Sequence, residues 1–538
     1  MLTHFHNKGY EVVEACNWVE YGQDPALPWK AYGTKVGDPN RRKQIEAQGA
    51  GRLDDYGFFH IDDIIEKENP DIYIGIEDIW AFDYFEQKKW WKKIPKLLWV
   101  TLDSLPLHPR IHSLYPDVEG WANWASFATE EMHRLGYNNA ETVHGLIDYS
   151  VFSEKSKEEK AELRKSHGID ENDFVFGFVF KNQLRKSVPN LLRAFKQVKE
   201  EVDGSVKLLL HTDLREDDQP DGKFWNILEI AENEGVSKED LLFTYICRDC
   251  GHFQCKPHTG DANCPKCNAE GKFKTRSLSE AVTDEDLNDI YNLMDVYVHP
   301  FTSGGQEIPI QEAKAAGLPT IVTRYSCGTD SCKEEHGGIP VGYSPYWEPF
   351  ANFEKASTDI ESLTNEMINL YHASNPNHEF HFEFLKLKEN SKNWVKENFS
   401  LDVNFTRLES LIDKTVKRHI KVLNEEPEES KETHKDKITK AFEGAFPKGE
   451  DIVLLLLGDG HLSIISLMYC LPNLRESFKD KKIYISCNQA YWSLLMRSKD
   501  VDAVIGDNDI FNEKQMLLDG FVERVIDLRG VEPKSLSV

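Results

Sequence analysis

The sequence predicts an α/β protein made of parallel sheets flanked by helices, with a metal-binding insertion and a further partial α/β module at its C-terminal end. Three observations lead there. Between Asp295 and Thr323 come a short apolar strand (296–298), a glycine-bearing loop (303–305), a helix opened by Pro309 and closed at Gly317, and a second strand (320–322). Near-continuous apolar runs at 174–180, 206–211 and 451–457 suit strands buried on both faces of a parallel sheet. A polar, charged stretch at 424–436 separates the last run from the others and reads as a linker.

Composition narrows the class. The 538 residues imply more than one domain, and 40% hydrophobic with 11% aromatic residues supply packed cores. A net charge of -27 argues against broad contact with nucleic acid or an anionic membrane, because phosphates repel such a surface. No apolar run reaches the roughly 18–20 residues of a membrane span. The N-terminus has no basic segment followed by an apolar one, so a cytoplasmic protein is expected. Five of the ten cysteines fall within 247–267, which suits metal binding in a reducing compartment better than a disulfide framework.

Residues 1–152 alternate helix-like and strand-like pieces: the end of a helix at 2–9, a strand at 11–13, a helix at 61–67, and strands at 71–76 and 96–101. An open parallel sheet starts with a strand and a glycine turn before its first helix. Neither is present here, so the first domain is expected to lack its first strand and the chain to be an N-terminally shortened version. A second domain covers 153–421, with helices expected near 360–372 and 384–398. Residues 422–436 form the linker. Residues 437–538 open with a buried strand, a glycine turn, a helix over 463–474 and a strand at 482–486, enough for part of one Rossmann-like half.

Glycines ahead of a helix N-terminus let backbone amides approach a phosphate, whose charge the helix end favours. Glu312, early on the same helix, is suited to accept hydrogen bonds from sugar hydroxyls. The 295–323 unit therefore reads as a site for a nucleotide sugar.

That stretch resembles the donor-site motif of retaining glycosyltransferase family 4, in which a strand leads to a glutamate, seven residues, a second glutamate, an alanine and a Gly-x-Pro turn. Glu312, Ala313, Gly317 and Pro319 match its second half; at the first glutamate this chain has Gly304, with Glu307 three residues further on. The resemblance implies two Rossmann-like domains with a cleft between them, the type B glycosyltransferase fold, with 1–152 on the acceptor side and 153–421 binding the donor. Residues 125–136 and 143–152 resemble the piece after the acceptor loops and the hinge into the second domain. The implied reaction moves a sugar from a nucleoside-diphosphate sugar to an unknown acceptor with retention of configuration and no catalytic metal.

The same resemblance assigns residues. Lys181 and Lys186 match the basic pair that holds the donor diphosphate, where charge accumulates on the departing nucleotide, and Arg185 is a third cation. Gly304, Gly305 and Glu312 complete the donor set, Glu312 at the nucleotide ribose. Asp103 ends a strand where many family members carry a histidine facing the transferred sugar; it either orients a hydroxyl or caps its loop. Asp103 and Glu307 are the candidates for catalysis, with His108 and His144 as weaker ones, while His299 and Ser303 lie near Glu312 and read as structural. The C-terminal part, through Gly458, Asp459 and 501–505, resembles the N-terminal half of the heptosyltransferase-like family 9.

Two Cys-x-x-Cys knuckles, Cys247 with Cys250 and Cys264 with Cys267, supply four thiolates for a tetrahedral structural zinc in a ribbon inserted at 245–275. Such a closed site leaves no position for catalysis. Cys255, His252 and His258 share the span. The competing reading is an inactive transferase-like scaffold that engages a partner through the ribbon. Gly304 favours it, and the retained basic pair and Glu312 oppose it.

Overall fold

The computed structural model describes residues 1–214, 224–276, 282–349, 351–425, 452–456, 461–487, 495, 498–506 and 524–527. The chain divides into two compact units, Met1–Val422 and Leu423–Val538.

In the first unit, four parallel strands, Tyr73–Asp78, Lys96–Thr101, Gly120–Asn123 and Ala140–Thr142, pair in chain order. Leu97, Leu98, Trp99 and Val100 are all buried because both faces of their strand are covered. A separate parallel pair joins Val13–Glu20 to Lys30–Lys35. Lys30–Lys35 escaped the sequence reading, since Lys-Ala-Tyr-Gly-Thr-Lys shows no apolar alternation. Gly33 permits the pairing: a Cβ there would lie 2.1 Å from the Glu20 carbonyl oxygen.

The chain beyond Phe152 builds an eight-stranded sheet. Its parallel strands lie in the order Leu241–Cys247, Val206–His211, Phe174–Val179, Val296–His299, Thr320–Thr323, Gly338–Val341. Phe253–Pro257 and Phe273–Thr275 run antiparallel on Leu241–Cys247. Numbered along the chain, the parallel strands follow the 3-2-1-4-5-6 order of a doubly wound sheet. The order reverses between Phe174–Val179 and Val296–His299, and the loops leaving the carboxyl ends of these two strands flank the switch point where such sheets bind ligands. Helix Val188–Glu201 covers the sheet with Leu191, Leu192, Phe195 and Val198, an apolar stripe at helical spacing.

Two connections bring this sheet to the first one. Helix Leu401–Glu425 returns across the first sheet, packing Phe405, Leu408 and Leu411 with Leu97, Trp99 and Ala122. A hairpin, Tyr343–Trp347 with Glu354–Thr358, lies between two loops. The Glu354 amide donates to Leu105 O at 2.7 Å and the Ala356 amide to Thr302 O at 2.9 Å, so one strand holds the loop after Lys96–Thr101 beside the loop after Val296–His299.

The second unit is a parallel sheet in the order Ala503–Gly506, Lys482–Cys487, Ile452–Leu456, Arg524–Asp527, with helix His461–Ser477. Gly458, Asp459 and residues 426–436 of the expected linker lie outside the described residues. Among the described residues no helix is long and apolar enough to cross a membrane.

Candidate functional site

The loops that follow Phe174–Val179 and Val296–His299 meet in a buried ionic cluster. After Phe174–Val179 the chain makes a short turn at Leu184–Lys186 and enters its helix through Ser187, whose φ of 42° is left-handed. Lys186 is thereby buried, at 3% exposure, while Arg185 is half-buried. From the opposite loop comes Glu307, at 4% exposure, whose carboxylate accepts from both Arg185 Nη1 and Lys186 Nζ. His299 Nε2 lies 3.2 Å from Glu307 Oε2. Burial disfavours the ionised Glu307, but Lys186, His299 and Arg185 outweigh it and hold the carboxyl well below its usual range. Burial pushes His299 down to about 4, so its ring is neutral at pH 7.

Gly304 accounts for the position of Glu307. A Cβ on Gly304 would lie 2.5 Å from Glu307 Oε1, so this carboxylate fills the space where a side chain at 304 would begin. Gly305 is needed for another contact: its Cβ would lie 2.7 Å from Cγ2 of Thr101, at the end of a first-sheet strand. The Gly304 amide is engaged by Ser326 Oγ at 3.0 Å, and Arg185 Nη1 also reaches Ser303 O at 3.3 Å. Lys181 is exposed and stands outside the cluster, so the cations that meet at the glycine loop are Arg185 and Lys186.

Glu312 occupies a second place. It lies on helix Ile308–Ala315, which carries Pro309 in its first turn, and it accepts from Tyr291 Oη at 2.7 Å. Burial pushes its carboxyl up to about 7; the Tyr291 hydroxyl pulls it down, and Asp284 raises it further.

On the first-sheet side, Asp103 is exposed and accepts from Ser104 Oγ at 3.0 Å. The buried Lys355 donates to Ser104 Oγ at 2.6 Å and Ser303 Oγ at 2.8 Å, and lies 3.6 Å from Asp103 Oδ2. One ammonium thus joins the first-sheet loop to the glycine loop. Sequence reasoning missed Lys355, because nothing in Glu354–Thr358 distinguishes it from an ordinary strand lysine. Asp78 was also missed, although a carboxylate closing a parallel strand is on the ligand-binding edge of such a sheet. It accepts from Thr101 Oγ1 at 2.7 Å; burial and the Asp103 charge push its carboxyl up. His108 caps helix Pro109–Leu114 through the Arg110 amide, and His144 bonds Trp124 O at 2.9 Å while stacking on Phe399. Both roles are structural.

The four knuckle cysteines converge, with all four Sγ atoms within 4.8 Å of one another. Cys247 and Cys267 are 3.6 Å apart, and Cys250 and Cys264 are 3.7 Å apart. Thiolates about 2.3 Å from a tetrahedral zinc lie ~3.8 Å from each other, so the donor set fits that ion. The amides of Lys266 and Cys267 point at Cys264 Sγ, at 3.4 and 3.5 Å, and would orient a metal-bound thiolate. Cys255 is elsewhere, buried beside Thr244 with its thiol pushed up to about 12 by burial, and His252 stacks on Phe273. Strand Leu241–Cys247 runs through to the first cysteine, so the knuckles grow directly from the sheet edge.

Residues 266–352 match the family model described as glycosyl transferases group 1, a span that holds the glycine loop, Glu307 and Glu312. No curated protein matches the chain. Among solved structures, the chain is similar to a glycosyltransferase from Rickettsia africae ESF-5 at 14% identity and a TM-score of 0.47, covering 71% of this chain and 84% of that one. It is similar to sucrose-phosphate synthase from Thermosynechococcus elongatus at 12% identity and a TM-score of 0.47, covering 76% and 90%. Anabaena HepE in complex with UDP is similar at 13% identity and a TM-score of 0.45, covering 70% and 90%.

Proposed function

We propose that this chain is a glycosyltransferase that moves a sugar from a nucleoside-diphosphate sugar to an acceptor lying between its first sheet and its eight-stranded sheet. The observation that carries this reading is the convergence of Arg185 and Lys186 on the glycine loop at the strand-order reversal, the loop itself lying in the segment that matches group 1 glycosyl transferases. An open α/β sheet binds ligands at that reversal. In this reading 153–421 bind the donor, 1–152 the acceptor, and 437–538 form an additional partial module.

Arg185 and Lys186 neutralise the diphosphate and the charge that grows on it as the bond to the sugar breaks. Because Glu307 already holds both cations, an incoming phosphate shares or displaces that carboxylate. Glu312, whose carboxyl burial raises to about 7, accepts from a ribose hydroxyl. Asp103 and Asp78 face the acceptor and orient its hydroxyl. The acceptor oxygen bonds to the anomeric carbon as the bond to the diphosphate breaks, the nucleoside diphosphate leaves with the electron pair and takes up the acceptor hydroxyl's proton, and the configuration is retained. The four-cysteine cluster holds a structural zinc.

Calorimetric titration with UDP, GDP and ADP tests the donor site. Lys186→Met alone would strand a buried carboxylate, so it is paired with Glu307→Gln. A charged hydrogen bond contributes about 1.5–3 kcal/mol, so the double variant should bind its nucleotide roughly 10- to 100-fold more weakly. If the folded wild-type chain binds none of the three, the reading is wrong. Binding with no release of nucleotide from its sugar would support the scaffold alternative, which Gly304 favours.

A further inference from the structure

Strand Val13–Glu20 breaks register with its partner between Cys16 and Glu20. Within this irregularity Trp18 adopts a φ of 67°, a left-handed conformation that bulky side chains avoid. A bulge of this kind re-aims a side chain. Here the indole is turned outward, 58% exposed. Tyr56 packs edge-on against it at 5.6 Å, and Trp80 packs edge-on against Tyr56 at 5.0 Å. The Arg52 guanidinium covers Trp80 at 3.8 Å, and Lys35, near the Trp18 ring, is held by Asp55.

The same bulge reaches toward the strand-end carboxylates. Asn17 Nδ2 donates to Glu77 Oε1 at 2.9 Å. Glu77 and Asp78 close their strand, and Asp78 accepts from Thr101, the residue that presses on Gly305. Tyr56, packed on Trp18, feels both carboxylates, since burial and then the Glu77 and Asp78 charges raise its hydroxyl, so Trp18, Tyr56, Glu77 and Asp78 form a row whose Asp78 end meets Thr101. Burial pushes both carboxyls up, a sign that water covers them only in part.

Resting on the transferase reading above, we propose that this row is the acceptor subsite and that the acceptor is a neutral carbohydrate, one ring lying on Trp18 with its hydroxyls bonded to Glu77 and Asp78. A sugar ring has one face of C–H groups, which an exposed indole covers, and a rim of hydroxyls, which carboxylates accept from. A lipid chain has no use for partly desolvated carboxylates. The cations nearby are engaged, Lys35 by Asp55, Arg185 by Glu307 and Arg52 on Trp80, so Glu77, Asp78 and Asp103 disfavour a phosphorylated or uronic acid acceptor.

The test uses the full chain on a glycan array bearing neutral hexose, N-acetylhexosamine and uronic acid oligosaccharides, with Trp18→Ala and Glu77→Gln beside it. The same samples are titrated with UDP, GDP and ADP and melted to confirm folding. The expected result is binding to neutral oligosaccharides that weakens at least about tenfold in both variants, while nucleotide affinity changes less than about twofold. Binding to no neutral glycan, a preference for uronic acids, or unchanged binding by both variants overturns the proposal. If a nucleotide binds and no glycan does, this inference falls and the donor site stands. If glycans bind through Trp18 and no nucleotide does, the transferase reading falls and the row remains a carbohydrate site.

Discussion

Burial raises the Glu312 carboxyl from 4.5 to about 7 despite the hydrogen bond from Tyr291, which links protonation to stability. Between those values the folded chain holds its proton more tightly than the unfolded chain, so the free energy of unfolding falls as pH rises through about 4.5 to 7 and levels off above. Glutamine at 312 keeps an acceptor for Tyr291 and carries no charge. Urea unfolding at pH 5, 6 and 7.5 should show wild type and Glu312→Gln alike at pH 5, with the variant more stable by about 1–3 kcal/mol at pH 7.5. Equal pH slopes in the two chains would contradict this. Asp78 and Glu307 show how much the partner decides: burial disfavours charge on both, and the half-buried Asp78, beside Asp103, is pushed up while the buried Glu307, between two cations, is held down.

At the scale of elements, the glycine loop and the cysteine knuckles are both short segments fixed by what they touch. Glycines at 304 and 305 are close-approach positions, one for Glu307 and one for Thr101, rather than turns that require a left-handed backbone. The knuckles have little apolar core of their own, and a closed metal site of four thiolates contributes folding energy directly. Elemental analysis of the purified chain should find one zinc per molecule. Cys264→Ser, or a strong chelator, should remove it and lower Tm by several degrees. A metal-free chain with unchanged melting would rule out the zinc site. Spacing alone made this element legible, because four thiolates in two pairs have few other uses in a chain of this kind.

On the scale of the whole molecule, the two sheets that flank the proposed site belong to one compact unit, Met1–Val422, while Leu423–Val538 form another with its own parallel sheet and core. Helix Leu401–Glu425 packs on the first sheet as far as His419, which bonds Glu119 at 2.6 Å. A chain ending at Val422 should therefore fold and bind its nucleotide within about twofold of the full chain, measured by calorimetry. A loss beyond about tenfold would show that the second unit takes part in the donor site.

Residue order alone was enough for the strands that are buried on both faces, for the order of strand, loop and helix around 295–323, and for the four cysteines that come together. Each of these is local, because continuous apolar runs, glycine and proline punctuation, and ligand spacing act within a few residues. Strand Lys30–Lys35 was not legible, because its pairing depends on Gly33 meeting a distant carbonyl. It took the folded chain to show that Glu307 captures Arg185 and Lys186, that Lys181 stands apart, that Lys355 joins the two loops, and that Trp18 faces outward against Tyr56. Charges and rings are brought together there by loops far apart in the chain. Which cation meets which anion is set by how the sheets pack, and residue spacing carries no record of it.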